Sequence, residues 1–221
     1  MKILMIGGGG REHTLVWKIA QSPLVDKIYC IPGNPGIAEL AECVKMDAEK
    51  DFDAIEQFAL NQKIDVIVIG PEDPLANGLT DRLENAGLRV FGPSKLATQI
   101  ESSKVFSKEF MIRHSIPTAK GESFDNPEDA IAYIKEVGAP IVVKADELAK
   151  GKGVFPCREL QKAIDAVKAI MIEKEFGNAG NKIIIEESID LLIGFGAYFA
   201  TVCVLAAKGT HCKVIGSERR A

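Results

Sequence analysis

The sequence predicts an α/β protein in two parts, a doubly wound parallel sheet in residues 1–100 and a mixed α+β unit after it. Short apolar runs alternate with helical stretches through the first part, which is typical of repeated strand–helix units. The run DVIVIG at residues 65–70 is apolar in its middle, as expected for a parallel strand buried on both faces. A run of glycines at residues 7–10 joins the first strand to the first helix, where such sheets commonly bind phosphate.

The first part contains predicted strands and helices in regular alternation. The strands are residues 2–6, 27–31, 65–70 and 88–91, and the helices are residues 11–21, 48–61 and 76–86. In the first helix, the spacing of Leu15 and Ile19 marks the apolar face that we expect to pack on the sheet. Because parallel strands end at one edge of a sheet, we expect a ligand just beyond their carboxyl ends.

The second part combines helices and strands in a less regular order. Predicted helices occupy residues 104–114, 126–137 and 159–175, and predicted strands occupy residues 140–144 and 182–185. Asn126, Pro127 and Glu128 form a helix-start signal, and Pro117 ends the helical pattern before them. These elements predict an α+β unit.

The composition is typical of a cytoplasmic globular protein. Hydrophobic residues make up 47% of the 221 residues, charged residues make up 26%, and the formal net charge is −4. This balance gives no reason to expect nucleic acid or an anionic membrane surface as a partner. The 5 cysteines are odd in number and none belongs to a CxxC pair, which argues against a disulfide framework and against a structural zinc site.

One segment has to be compared with a membrane span. Residues 191–207 carry no charged side chain, and their length only reaches the lower limit for crossing a bilayer. Gly194, Gly196 and the β-branched and aromatic residues around them favour a buried strand–turn–strand instead. The apolar run at residues 1–6 is too short for a signal peptide. We therefore expect no membrane partner.

The glycine turn only partly matches the dinucleotide-binding pattern GxGxxG. Gly7 and Gly9 fit, but Glu12 occupies the third glycine position. The acidic residue expected after the second strand is replaced by PGNPG at residues 32–36, so a nicotinamide-dependent oxidoreductase is disfavoured. Arg11 is suited to pair with a phosphate at this turn, although a tight turn without a ligand is the alternative.

The third strand also ends in polar residues. Glu72 and Asp73 follow Gly70 and Pro71, and they could hold sugar hydroxyls or an amine. The alternative is that they are acids of the first helical turn, stabilised by the helix dipole.

Cationic and glycine residues recur in the second part in a defined order. Lys144 ends an apolar strand, where a desolvated ammonium needs an anionic partner. The loop LAKGKGV at residues 148–154 carries positive charge suited to close over a polyphosphate, although it lacks the Walker pattern and could be an ordinary basic hairpin. Lys104 starts a helix before these features, and a strand running into Glu186 and Glu187 follows them. This order is similar to that of the nucleotide-binding part of the ATP-grasp family.

Residues 1–190 resemble the glycinamide ribonucleotide synthetases, which are ligases of the ATP-grasp family. The segments that carry the resemblance are IGGGGREH (6–13), PGNPG (32–36), IGPEDPL (69–75), FGPSK (91–95), ESSKVFSKEFMIRHSIPTA (101–119), APIVVKADELAKGKGV (139–154) and IIIEESID (183–190). The resemblance implies a phosphosugar-binding domain at residues 1–100, a linking helix region at 101–122 and a partial ATP-grasp domain at 123–190. Residues 191–221 are expected to be a divergent or replaced tail.

The resemblance also implies a reaction and a set of site residues. ATP would activate glycine as glycyl phosphate, and 5-phosphoribosylamine would attack it, with ATP and Mg²⁺ as cofactors. The residues implied for the phosphosugar are Gly8, Gly9, Gly10, Arg11, Asn34, Pro35, Gly36, Gly70, Pro71, Glu72 and Asp73. Those implied for the ATP phosphates are Lys104, Lys144, Gly151, Lys152 and Gly153, and those implied for adenine are Glu186, Glu187 and Ile189.

Several positions depart from the family pattern. The family has glycine where Glu147 stands, usually a small residue at Lys150, and an acid at Ile193 that is expected to hold the ATP ribose. The family's magnesium-binding acid and asparagine fall beyond Ala221, so no metal ligand is assigned in this chain. We therefore expect this chain alone to be inactive or very weak as a ligase. A non-catalytic module that binds ATP or a phosphosugar is the alternative.

Overall fold

The computed structural model describes residues 1–147 and 152–189. The chain divides into two compact units, Met1–Thr98 and Gln99–Ala221. The predicted fold class is confirmed, because the first unit is built on a parallel sheet flanked by helices and the second on a four-stranded antiparallel sheet with helices.

The first unit is described over its whole length and alternates strands with helices. Its strands are β1 (Lys2–Gly7), β2 (Lys27–Pro32), β3 (Glu42–Cys43), β4 (Val66–Ile69) and β5 (Val90–Phe91). Its helices are α1 (Gly10–Ile19), α2 (Phe52–Gln62), α3 (Glu72–Ala76), α4 (Leu79–Asn85) and the start of α5 (Lys95–Ser102), with a short 3₁₀ turn at Ile37–Glu39. The strands run parallel in the order β3-β2-β1-β4-β5.

Both faces of this sheet are covered, as a doubly wound sheet requires. One face packs against α2 and α4 through a cluster that includes Leu4, Ile55 and Leu83. The other face packs against α1 and the 3₁₀ turn through a cluster that includes Val16 and Ile37. Successive residues of β1 alternate between the two clusters because strand side chains point to opposite faces.

Two details of the first unit differ from the sequence prediction. The helix predicted at residues 76–86 begins only at Leu79, as α4, because Gly78 before it adopts the left-handed conformation with φ of +88°. The separate short helix α3 that precedes Gly78 was not predicted. In α1, Leu15 is exposed rather than packed, and the buried positions are Glu12 and Val16. The prediction that Leu15 lies on the buried face was wrong. It counted only apolar residues as buried, whereas the acidic Glu12 occupies that face.

The second unit is described up to residue 189, except for residues 148–151. Its elements are α6 (Lys104–Arg113), β6 (Gly121–Phe124), α7 (Pro127–Val137), β7 (Ile141–Ala145), β8 (Val154–Cys157), α8 (Leu160–Val167) and β9 (Ile183–Glu187). The strands pair antiparallel in the order β6-β9-β7-β8. One face of this sheet packs on α7 and α8 through Ile134, Val143, Val167 and Ile185.

The helix predicted at residues 159–175 is shorter and less regular than expected. α8 ends at Val167 and continues as a π-helical turn over Lys168–Ile172. Asn126 accepts a hydrogen bond from the Asp129 backbone N–H, so the predicted start signal of α7 is a helix cap. None of the helices in the described residues is long and apolar enough to span a membrane. Residues 191–207 lie outside the described residues.

Thr80, in the first turn of α4, carries an unpaired buried hydroxyl. Within the described residues, its Oγ1 is the buried side-chain oxygen or nitrogen without a hydrogen-bond partner. Replacing Thr80 by valine keeps the branched shape and removes the unpaired polar atom, so the free energy of unfolding should rise by about 1 kcal/mol. Urea denaturation of the wild type and Thr80→Val measures this change.

Thr80→Ala is the matched control, because it removes the hydroxyl and also a packed methyl group. We expect this variant to be less stable than Thr80→Val, since it leaves a cavity. A lower stability of Thr80→Val than of the wild type would contradict the assignment of an unpaired hydroxyl.

Candidate functional site

The glycine turn of the first unit lies where the strand order of the sheet changes direction. From β1 the chain moves outward to β2 and β3, and then returns to place β4 on the other side of β1. Ligands of open parallel sheets bind at such a switch point, beyond the carboxyl ends of the strands. Gly7 ends β1, Gly70 directly follows β4, and Gly10 begins α1. The predicted residues Gly8, Gly9, Gly10 and Gly70 are therefore grouped at this edge.

The side chain of Glu12 holds the glycine turn in place. It is buried, and its Oε2 accepts a hydrogen bond of 2.7 Å from the Gly9 backbone N–H. A Cβ atom at Gly7 or Gly70 would overlap the Glu12 side chain. Gly7 and Gly70, at the ends of β1 and β4, have to be glycines because the Glu12 side chain fills the space beside them. A dinucleotide-binding fold instead has its third glycine at the position of Glu12. Sequence reasoning used Glu12 only as a mismatch and missed this role.

The loop after β2 is tied to the glycine turn by Asn34. Its Nδ2 donates a 2.9 Å hydrogen bond to the Gly8 carbonyl, and its Oδ1 accepts one of 2.9 Å from the Ile37 backbone N–H. Pro35 is exposed in this loop, and Gly36 packs against the His13 ring, which leaves no room for a Cβ atom. The Asn34 side chain therefore fixes the loop.

Arg11 already has two acidic partners. Its Nε lies 2.9 Å from Glu12 Oε1, and its Nη2 lies 3.3 Å from Glu72 Oε2 on the first turn of α3. The hydrogen bond to Glu12 is the main reason that the pKa of Arg11 is raised, so the guanidinium stays charged. Its side chain is 61% exposed, and its remaining N–H groups can reach a ligand. Asp73 is partly exposed beside Glu72.

A cavity of about 800 Å³ opens beside this turn. The cavity is lined by the glycine turn, by residues after the ends of other strands and by the segment before α2. The lining residues are Gly7, Gly8, Gly9, Glu12, Pro32, Lys45, Met46, Asp47, Ala48, Glu49, Asp51, Pro71 and Pro74. The predicted residues Gly8, Gly9 and Pro71 line it. The wall formed by residues 45–49 and 51 was not predicted, because it follows the two-residue edge strand β3, which has no clear hydrophobic pattern.

Gly70 should not tolerate a side chain. A Cβ atom there would overlap Glu12, so Gly70→Ala has to displace the buried carboxylate that holds the Gly9 N–H. We expect the free energy of unfolding to fall by about 1–3 kcal/mol, the usual cost of overpacking. Thermal and urea denaturation of the variant measure this loss.

Gly10→Ala is a matched control at the same turn. A Cβ atom at Gly10 meets no other atom within 4 Å, and the position is the first residue of a helix. Alanine there should leave stability unchanged or raise it slightly, because it favours the helix. Equal losses in Gly70→Ala and Gly10→Ala would contradict the proposed packing of Glu12.

In the second unit, Lys144 and Glu186 meet on the face of the sheet opposite α7 and α8. Val142 on β7 pairs with Glu186 on β9, which places Lys144 diagonally next to Glu186 on the same face. The Lys144 ammonium forms an ion pair with Glu186 Oε2. A third residue, Lys108 on α6, binds Glu186 Oε1 at 2.6 Å. Sequence reasoning missed Lys108, although it stands one helical turn after Lys104 and so shares its face of α6.

Asp146 fixes the start of α6 next to the end of β7. Its buried Oδ1 accepts 3.1 Å hydrogen bonds from the Ser103 hydroxyl and from the Val105 backbone N–H. Lys104, the next residue of the helix, reaches the Glu147 carbonyl at 2.8 Å. Glu147 itself has φ of +52°, in the left-handed region that favours glycine. Asp146 therefore places Lys104 beside the strand end that carries Lys144.

The charges of this cluster shift the pKa values of its members. Burial lowers the pKa of Lys104, and the nearby charge of Lys144 lowers it further, against the opposing effects of Asp146 and Glu101. For Glu186, burial raises the pKa, but the hydrogen bonds and charges of Lys108 and Lys144 outweigh it, so its pKa lies below the ordinary value. Glu186 is therefore ionised at neutral pH.

The other residues predicted to bind ATP lie at the end of β9 and just before β8. Glu187 is exposed, and its Oε1 accepts a 2.7 Å hydrogen bond from the Lys120 backbone N–H. Ile189 is 45% exposed just after β9. Lys152 is exposed, and the carbonyl of the buried Gly153 accepts a 2.8 Å hydrogen bond from the Ala145 N–H. Gly151 lies outside the described residues.

The side chains of the described residues do not form a metal centre. In residues 1–147 and 152–189, no group of three or more His, Cys, Asp or Glu side chains is arranged to hold a metal ion. Cys30, Cys43 and Cys157 are free thiols. The candidate sites in this part of the chain are the glycine turn of the first unit and the lysine–glutamate cluster of the second.

Comparison with known families accounts for both units. Residues 1–101 match the model of the phosphoribosylglycinamide synthetase N domain, and residues 102–213 match that of the ATP-grasp (A) domain of the same enzymes. The chain belongs to the phosphoribosylglycinamide synthetase family. The resemblance drawn from the glycine and lysine motifs is confirmed.

Curated phosphoribosylglycinamide synthetase relatives carry the name phosphoribosylamine–glycine ligase. The protein of Caldanaerobacter subterraneus subsp. tengcongensis is 47% identical over 189 residues, which are 86% of this chain and 45% of the relative. That of Haemophilus influenzae is 49% identical over 192 residues, or 86% of this chain and 44% of the relative. The chain thus spans a little less than half the length of these relatives.

Solved structures of similar fold include a member of the same family. The phosphoribosylamine–glycine ligase of Thermotoga maritima matches 86% of this chain with a TM-score of 0.70 and 29% identity, over 44% of its own length. The N5-carboxyaminoimidazole ribonucleotide synthetase of Thermus thermophilus has a TM-score of 0.65 at 24% identity, over 85% of this chain and 47% of its own. At that identity, the second likeness concerns the fold alone.

Proposed function

We propose that the chain provides the phosphosugar-binding and ATP-binding parts of a ligase that joins glycine to 5-phosphoribosylamine. The products would be glycinamide ribonucleotide, ADP and phosphate, in the purine biosynthesis of the cytoplasm. Residues 1–100 would bind the phosphosugar, residues 101–122 would link, and residues 123–190 would bind ATP. The proposal includes only small-molecule substrates, without nucleic acid or membrane. Family membership supports this proposal, together with the two clusters of site residues.

The observation that carries the ATP part is the convergence of Lys104 and Lys144 at one end of the second sheet. Both ammonium groups are partly buried, and the charge of Lys144 lowers the pKa of Lys104. An anion bound between the two lysines would offset this repulsion. We propose that they bind the ATP phosphates with Gly151, Lys152 and Gly153. Glu186, Glu187 and Ile189 would frame adenine through their side chains or backbone, because β9 ends there.

The phosphosugar part is supported by the glycine turn and its cavity. Backbone N–H groups at the start of α1 and the charged Arg11 offer hydrogen bonds to a phosphate. Asn34, Pro35 and Gly36 form the second side of the proposed site, and Gly70, Pro71, Glu72 and Asp73 form the third. The carboxylates of Glu72 and Asp73 suit the sugar hydroxyls or the amine.

In the proposed reaction, the glycine carboxylate attacks the γ-phosphorus of ATP and ADP leaves. The amine of 5-phosphoribosylamine then attacks the resulting acyl phosphate and releases phosphate. Lys104 and Lys144 would neutralise the charge that spreads over the phosphate oxygens, which is the main catalytic contribution in phosphoryl transfer. When bound, magnesium would supply further charge neutralisation to the ATP phosphates in such a reaction. The described residues offer no carboxylate group that fits it, so the steps assigned here involve only side chains of the chain itself.

Binding and turnover test this function separately. Calorimetry should detect ATP binding to the wild-type chain and at least ~10-fold weaker binding (about 1.4 kcal/mol) to Lys104→Met. An assay of phosphate release with glycine, ATP and 5-phosphoribosylamine then separates a ligase from a non-catalytic binding module. Failure of the wild-type chain to bind ATP would contradict the proposed nucleotide site. ATP binding without phosphate release would favour the binding module.

A further inference from the structure

Lys108 is an almost fully buried lysine whose donors are all used inside the protein. Its side chain is 4% exposed. Its ammonium lies 2.6 Å from Glu186 Oε1, 3.0 Å from Thr118 Oγ1 and 2.5 Å from the Ala119 carbonyl. An ammonium group has three N–H donors, and these three acceptors satisfy them. Lys108 is therefore held in place and has no donor left for a ligand.

Lys144 binds the other oxygen of the same carboxylate but is held much less firmly. Its side chain is 30% exposed. Within the described residues, Glu186 is the hydrogen-bond partner of its ammonium. Two of its three N–H donors are thus available, and the group stands near Lys104. Of the two lysines on Glu186, Lys144 is the one that can move to an outside anion.

The exchange of Lys144 from Glu186 to an anion would be unfavourable without Lys108. A buried carboxylate that loses its only counter-ion pays a large desolvation cost, which is why breaking one side of a buried ion pair is strongly destabilising. With Lys108 bound to Oε1, Glu186 keeps one buried ion pair when Lys144 leaves. The cost of recruiting Lys144 to an anion is thereby reduced.

We propose that Lys108 is a positioning residue that holds Glu186 ionised and oriented, so that Lys144 can exchange Glu186 for a nucleotide phosphate. The inference rests on the proposed function, since the anion is taken to be the ATP polyphosphate. Lys108 itself contacts neither the phosphate nor the adenine.

The charges around the cluster are consistent with this role. The charged groups that act on Glu186 are Lys108 from α6 and Lys144 from β7, and Lys104 and Asp146 lie beside Lys144. In the described residues, Lys104, Lys108 and Lys144 stand against two buried carboxylates, Glu186 and Asp146, while the charge of Glu101, which also acts on Lys104, is exposed to screening by solvent. This leaves a positive charge for an anion to neutralise. Removing Lys108 would cancel that excess and leave Lys144 bound to Glu186.

The first experiment follows the ionisation of Glu186 in the free protein, without nucleotide. ¹³C NMR titration of its carboxyl carbon is compared in Lys144→Met and in the double variant Lys108→Met/Lys144→Met. Lys144→Met imitates the departure of Lys144, and Lys108 should keep the proton affinity of Glu186 at least ~10-fold lower than in the double variant, which is about one pH unit. Equal titration in the two variants would overturn the inference.

The second experiment measures the binding of inorganic triphosphate, which lacks adenine and so tests the phosphate contact alone. Lys108→Met should weaken triphosphate binding by ~10-fold or more, because Lys144 then remains on Glu186. Lys108→Met/Glu186→Gln should regain most of the loss, since no buried charge is left to compensate. Urea denaturation of the same variants is the second readout, because a merely structural lysine would regain stability in the double variant without regaining triphosphate binding. Lys108→Arg should retain most of the binding.

Lys162→Met is the matched control, because Lys162 on α8 is exposed and paired with the exposed Glu159. It should change neither the titration of Glu186 nor triphosphate binding. Equal binding by the wild type and Lys108→Met would overturn the inference and leave the proposed function standing. Failure of the wild type to bind either ATP or triphosphate would instead overturn the proposed function and the exchange of Lys144 together.

Discussion

Glu186→Ala is expected to lower the free energy of unfolding by about 3–5 kcal/mol, the usual cost of removing one partner from a buried ion pair. The loss arises because Lys108 is buried and keeps its ammonium next to Thr118 and Ala119 without any counter-charge. Lys144 can turn to water, since its side chain is partly exposed. Urea denaturation at pH 7 measures the difference from the wild type.

Glu159→Ala is the control for this loss. Glu159 forms an ion pair with Lys162, but both side chains are 65% exposed, so its removal should change stability by less than about 0.5 kcal/mol. Similar effects of Glu159→Ala and Glu186→Ala would show that burial does not set the strength of the Glu186 pairs.

The ion pairs of Glu186 should also make the stability of the protein depend on pH. The folded-state pKa of Glu186 lies below its ordinary value of 4.5, so its pairing contributes stability above that value. This contribution is lost as the pH falls through the folded-state pKa. The stability difference between the wild type and Glu186→Gln should therefore shrink below pH 4.5, and an unchanged difference there would contradict the assignment.

Asp146→Ala should have the second largest effect, a loss of about 2–4 kcal/mol. The variant removes a buried charged acceptor from the Ser103 hydroxyl and from the Val105 N–H at the start of α6. Charge-assisted hydrogen bonds and helix caps each contribute on the order of 1–3 kcal/mol. Without Asp146, the Ser103 hydroxyl and the Val105 N–H would remain partly buried and lose this acceptor. The pKa of Lys104 should also fall further, because Asp146 raises it.

Asn126→Ala provides the comparison for Asp146→Ala. Asn126 caps α7 through the Asp129 N–H but is exposed and uncharged, so its loss should cost only about 1 kcal/mol. Urea denaturation of both variants compares two helix caps. Asp146 is buried and caps α6 from the end of β7, whereas Asn126 is exposed and caps its own helix, α7. A loss in Asp146→Ala no larger than in Asn126→Ala would contradict the linking role of Asp146.

Much of the fold could be predicted because its signals are local. The apolar runs gave the main strands of the parallel sheet, and the cap at Asn126 gave the start of α7. Elements without a local pattern were missed, namely the two-residue strand β3 and the strands β6 and β8. Glu12 was also misjudged, since an acid becomes buried only when Gly7 and Gly70 are brought around it by the sheet.

What the sequence determined by itself was the order of the chemical groups: a glycine turn after the first strand, then Lys104, Lys144 and Glu186 at element ends. Only the tertiary structure decided which of them meet. The antiparallel register of β7 and β9 places Val142 opposite Glu186 and so brings Lys144 alongside it. Strand register depends on pairing between distant segments, and a shift by one residue would send these side chains to opposite faces. Lys108 became part of the cluster only because α6 packs near β9, a contact that no spacing along the chain specifies.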